Sequence, residues 1–106
     1  MKNKLKRAIE RSELAYFYYM EDKKYFQAIR IYKANTVVYE LLEEYLNLCE
    51  AQDVKIVCQY LFHLEDWFNQ FEMEIKDKNM QLSQEFIFQR LEKSISYPKE
   101  FINTLL

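Results

Sequence analysis

The sequence predicts an all-α protein, an up-down antiparallel helical bundle of four helices closed by a short C-terminal helical turn. Three observations carry that expectation. The 106 residues include no glycine and a single proline, Pro98; two-residue hairpin turns favour glycine, so the chain is poorly equipped to build an antiparallel β protein. A heptad seam of apolar residues runs through residues 54–75, the mark of a long helix. Half of the residues are hydrophobic and 17% are aromatic, enough to close one core, so residues 1–106 read as a single helical-bundle domain and not as a disordered chain.

The elements follow in order. Leu5, Ala8, Ile9, Ser12, Ala15, Tyr16 and Tyr19 recur at helical spacing and define a first helix. Residues 20–24 are the best place for it to turn. Nothing at Glu21, Asp22, Lys23 or Lys24 forbids helix, so one continuous helix as far as Cys49 is the alternative, and such a rod would favour assembly between chains. Ala28, Ile31, Val38, Leu42, Tyr45 and Cys49, with Ala34, Leu41 and Leu48 beside them, make a second helix. Within it Thr36, Val37, Val38 and Tyr39 favour strands, whereas residues 40–48 pull back to helix, so a local bend is the most that is expected.

Residues 50–52 form a short connection and Asp53 is placed to cap a third helix. Its seam is Val54, Val57, Leu61, Leu64, Phe68, Phe71 and Ile75, about six turns and roughly 33 Å long. Tyr60 and Trp67 widen the seam on one flank, which suits a bundle, and Gln59, Asp66 and Gln70 fall on the outer face. So short a connection makes the second and third helices an antiparallel hairpin. Ser83 caps a fourth helix carrying Phe86, Ile87, Leu91 and Ile95. Pro98 ends or restarts it, and Phe101, Ile102, Leu105 and Leu106 form the last apolar turn.

Several chemistries are excluded at this level. Phosphate-cradling loops and dinucleotide fingerprints need glycine, and there is none. The longest apolar run, residues 14–20, is far short of the roughly 20 residues that span a bilayer, and no signal-peptide pattern follows Lys2, Lys4, Lys6 and Arg7. Two cysteines, Cys49 and Cys58, without CxxC spacing read as reduced thiols, which with the missing leader points to a cytoplasmic protein without a membrane contact. No repeat recurs at the period of about 34 residues used by helical arrays.

Catalytic and metal sites are not expected, and neither is a cofactor. His63 is the only histidine, with Asp66 as its one obvious acidic neighbour and no Ser, Thr or Cys beside it; it reads as a surface or boundary residue. The Glu-x-x-His pairs of di-iron bundles are absent, since Tyr60 stands three residues before His63. A ligand-binding or catalytic bundle using His63 is the alternative reading.

Charge separates along the chain. Residues 1–11 carry five bases and one acid, net +4, whereas residues 35–74 carry nine acids and one base, net −8. A nucleic-acid binder shows a broad basic footprint, so only Lys2, Lys4, Lys6, Arg7 and Arg11 could contact phosphate, a second alternative. The acidic middle suits a basic partner. Tyr16, Phe17, Tyr18 and Tyr19 cover most of a helix circumference, so one core cannot bury all four rings. These features lead to the expectation of a small non-enzymatic protein–protein interaction module, of the chaperone, adaptor or inhibitor kind. It would hold another protein, such as a basic or amphipathic helix, against an aromatic patch of Tyr16, Tyr19, Phe26, Phe62 and Trp67 rimmed by Glu40, Glu43 and Glu44. Homodimerisation is a further expectation, because broad stripes on short helices can pair across chains.

Overall fold

The computed structural model describes residues 1–21 and 25–77, with the side chains of residues 25, 26 and 74–77 outside the described set. The fourth helix expected after Ser83, the stop at Pro98 and the last apolar turn also lie outside the described residues. The described residues form helices α1 (Lys2–Glu21), α2 (Tyr25–Leu48) and α3 (Val54–Asp77), with one 3₁₀ turn, Ala51–Asp53, leading into α3. Among the described residues there is no strand. α1 and α2 pack on one another, so a continuous rod to Cys49 is excluded.

All seven residues of the expected α1 stripe are buried: Leu5, Ala8, Ile9, Ser12, Ala15, Tyr16 and Tyr19. On α2 the buried line is Ala28, Ile31, Asn35, Val38, Leu42 and Tyr45. The strand-favouring residues 36–39 stay helical; the Thr36 hydroxyl turns back to donate to the Tyr32 carbonyl at 2.9 Å, which accommodates a β-branched residue within the helix. On α3 Val57, Leu61, Leu64 and Phe71 are buried with the flanking Tyr60 and Trp67, whereas Val54, the first residue of the seam, is exposed. Leu48, placed beside the α2 stripe, is likewise exposed at the helix end.

These stripes meet in two clusters. Leu5, Ala8 and Ile9 of α1 pack with Val38, Leu42 and Tyr45 of α2 and with Val57, Tyr60, Leu61 and Leu64 of α3. Ala15, Tyr16 and Tyr19 pack with Ala28, Ile31, Trp67 and Phe71. Each fully buried Leu, Ile or Val contributes about 1.5–3 kcal/mol against leaving it in water. Between the clusters lies a polar contact. The Ser12 hydroxyl donates to the Asn35 side-chain oxygen at 2.5 Å, and the Asn35 amide donates to the Tyr16 hydroxyl at 3.4 Å. Burial pushes the Tyr60 phenol well above its ordinary range, with further contributions from Tyr16 and Glu13.

A polar group in a dry core is tolerated only with its partners in place, so this contact ties α1 to α2 in one axial register.

Candidate protein-binding groove

α2 and α3 leave an open groove of about 480 Å³ between them. Its floor and walls are aromatic. Phe68 meets Tyr32 edge-on at 5.2 Å between ring centres and Tyr39 at 6.1 Å. Behind them Trp67 stacks on Phe71 at 5.1 Å, and Tyr32 lies 5.1 Å from the same Phe71 ring, so the groove rings are backed by the core. Such offset and edge-to-face pairs hold the rings in place beyond the area they bury. The rim carries Glu40 and Glu43 from α2 and Glu65 from α3, with Thr36 and Asn69 completing the lining.

One bond pins the two walls together. The Tyr39 hydroxyl donates to a Glu65 carboxylate oxygen at 2.6 Å. That bond, then burial, then the charges of Glu65 and Glu43 push the Tyr39 phenol up to about 12. Negative charge beside the ring opposes a phenolate. The result is a concave apolar surface edged by carboxylates, suited to an apolar anchor flanked by cationic side chains.

The expected site residues fall in different places. Glu40 and Glu43 line the groove, while Glu44 is exposed on α2 but outside it, one residue further round the helix. Phe62 is exposed one turn before Glu65 on α3. The aromatic part of the expected patch is corrected by the core. Tyr16 and Tyr19 keep only 3% and 4% of their surface and Trp67 keeps 1%, because all three are in phase with the buried stripes of their helices. Of the four consecutive rings, Phe17 and Tyr18 are the outward pair, at 60% and 43% exposed. The side chain of Phe26 lies outside the described residues.

His63 also departs from expectation, being buried and already engaged with a neighbour. It sits between Tyr60 and Trp67 at helical spacing, so the widening of the α3 seam carries it inward. Among the described residues no group of three His, Cys, Asp or Glu side chains is placed to hold a metal ion, and no helix is long and apolar enough to cross a membrane. Cys49 and Cys58 are half-buried free thiols.

Sequence reasoning missed Tyr32, Tyr39, Glu65 and Phe68 as groove residues. Tyr39 and Glu65 carried a signal, each being a polar residue beside an apolar stripe, but their meeting depends on how α2 and α3 are rotated against each other. The chain matches no known protein family, no curated protein and no solved structure.

Proposed function

We propose that this protein is a non-enzymatic protein–protein interaction module that holds a basic amphipathic segment of a partner in the groove between α2 and α3. The observation that carries the reading is the coincidence of three rings, Phe68 packed against both Tyr32 and Tyr39, with three carboxylates, Glu40, Glu43 and Glu65, around one concavity. Rings supply the area an apolar anchor buries, and the carboxylates select and accelerate the approach of a basic partner. Phe62, exposed one turn before Glu65 on α3, would add to the apolar surface a partner meets. The reading includes an up-down bundle completed by a fourth helix and residence in the cytoplasm, where both thiols stay reduced.

The test is calorimetric titration with a synthetic helical peptide of alternating Lys and Phe/Leu faces, run on the wild type and on Glu40→Lys/Glu43→Lys. Saturable binding by the wild type, weakened at least about tenfold in the variant and by added salt, is expected. Binding that ignores both changes, or no binding at all, rejects the groove as the contact surface.

A further inference from the structure

The flank of α2 opposite the groove has the complementary character. Along α2, the core line Ile31, Asn35, Val38 separates Tyr32, Thr36 and Tyr39 on one side from Arg30, Ala34 and Val37 on the other. On that second side α1 contributes Arg11, Leu14, Ala15 and Tyr18, which with Arg30 and Ala34 line a shallow depression of about 180 Å³. Arg7 lies one turn before Arg11 on the same stripe of α1 and is exposed. Leu14 is 50% exposed, Tyr18 one turn on is exposed as well, and so are Phe17 of α1 and Val37 on this flank of α2. The α1 edge of this depression is an apolar stripe, Leu14 and Tyr18, with Arg7 and Arg11 at its N-terminal end and the exposed Glu10 beside them, on the helix whose first eleven residues carry net +4.

We infer that the occupant of the acid-rimmed groove is a second copy of this chain, presenting the Arg7–Arg11–Leu14–Tyr18 face of its α1. The inference deepens the groove reading and rests on it. The two surfaces match in kind, since one offers rings beside the three carboxylates Glu40, Glu43 and Glu65, and the other offers apolar side chains beside Arg7, Arg11 and Arg30 with a single acid, Glu10, among them. The α1 face carries exposed apolar side chains, and the groove carries half-buried rings, that a partner would cover. Because they lie on opposite flanks of α2, a copy seated in the groove leaves its own groove and the first copy's basic face unoccupied. The contact is therefore head-to-tail, and it closes into a ring or extends as a chain according to the rotation between copies.

The experiment is sedimentation velocity of the full chain over a concentration series, at about 0.01 M ionic strength, where charges act over about 30 Å, and at about 1 M, where they act over about 3 Å. The wild type is expected to associate at low salt and to dissociate at high salt. Two charge-reversed proteins sharpen the test, Glu40→Lys/Glu43→Lys on the groove and Arg7→Glu/Arg11→Glu on the α1 face, each checked for helicity by circular dichroism. Each alone is expected to associate at least about tenfold more weakly than the wild type. Mixed in equal amounts they regain association, because one retains the native α1 face and the other the native groove. That recovery also shows that both variants are folded.

A wild type that stays monomeric at low salt overturns the inference, as does association that either variant leaves unchanged or a mixture that shows no recovery. The Lys/Phe peptide titration separates the two levels. A monomeric protein that still binds the peptide through Glu40 and Glu43 keeps its groove and loses only this occupant, whereas a monomer that ignores the peptide loses both readings.

Discussion

Asn35 and Tyr39 stand one turn apart on α2, and each is joined by a hydrogen bond to a neighbouring helix, but the two bonds lie in different media. Asn35 is buried between the clusters, with Ser12 and Tyr16 as its partners on α1. Tyr39 is half-buried at the groove wall and donates to the exposed Glu65 of α3. A polar contact enclosed in the core must be satisfied for the helices to seat at all. One open to water is replaceable by solvent, so its value lies in what it shapes. The α1–α2 interface is thus a seam of the fold, and the α2–α3 groove is a surface that the fold holds open.

The largest effect tests the core side of that comparison. Replacing Tyr16 and Tyr19 together by Ala removes two large side chains from the cluster with Ala28, Ile31, Trp67 and Phe71. Aromatic truncations in a core cost about 3–5 kcal/mol each, against a total stability of roughly 5–15 kcal/mol for a domain. The double variant is expected to lose cooperative thermal unfolding followed by circular dichroism. A variant that keeps a sharp transition would place these rings at the surface after all.

Next comes Asn35→Ala, expected to cost about 1–3 kcal/mol in urea unfolding, because the Ser12 hydroxyl is left buried without its acceptor. Asn35→Leu combined with Ser12→Ala removes both polar ends and should recover part of the loss. If the two variants are equally unstable, packing and not the hydrogen bond accounts for the cost.

The periodic stripes explain how far the sequence could be read. The α1 stripe of seven residues was legible because a buried helix face repeats every three or four positions whatever lies opposite it. The same stripe already contained Tyr16 and Tyr19, so assigning them to a partner conflicted with their phase, and Phe17 and Tyr18 were the rings left over. Asn35 was not legible. Ile31 and Val38 are seven residues apart, so the register leaves a core position at 35, but a polar side chain there gives no sign of its partners across the interface. The groove was half legible, since Glu40 and Glu43 stand on one helix, whereas Tyr39 meets Glu65 only through the rotation of α2 against α3, which neither helix pattern contains.

The third effect is smaller for stability and larger for the groove. Tyr39→Phe keeps the ring and removes the bond to Glu65, a partly solvated contact worth no more than about 1 kcal/mol. Urea unfolding should move little. Binding of the Lys/Phe peptide should change, because the released Glu65 carboxylate is free to meet a lysine. A large loss of stability with unaltered binding would put Tyr39 on the core side of the comparison.

The smallest effect is the most local, and it comes from alkaline titration. The Tyr39 phenol stands at about 12 against an ordinary 10.0, raised first by its bond to Glu65 and then by burial and the charges of Glu65 and Glu43. Because the folded value is the higher one, the protein favours the neutral phenol. The associated stability is fully present below pH 10.0 and is lost as the pH rises from there towards about 12. Burial also raises Tyr19, Tyr45 and Tyr60, so all four phenols oppose alkaline conditions in the same direction. Glu65→Gln removes a charge and weakens the acceptor for Tyr39 alone among them. Its tyrosinate absorbance should therefore show one phenol ionising at lower pH than in the wild type, with burial and Glu43 still holding it above the ordinary value, and Tyr39→Phe placed on the same background should abolish that difference. An unchanged titration curve would mean that Tyr39 and Glu65 are apart in solution, leaving the two walls of the groove unpinned and the groove itself adjustable to its occupant.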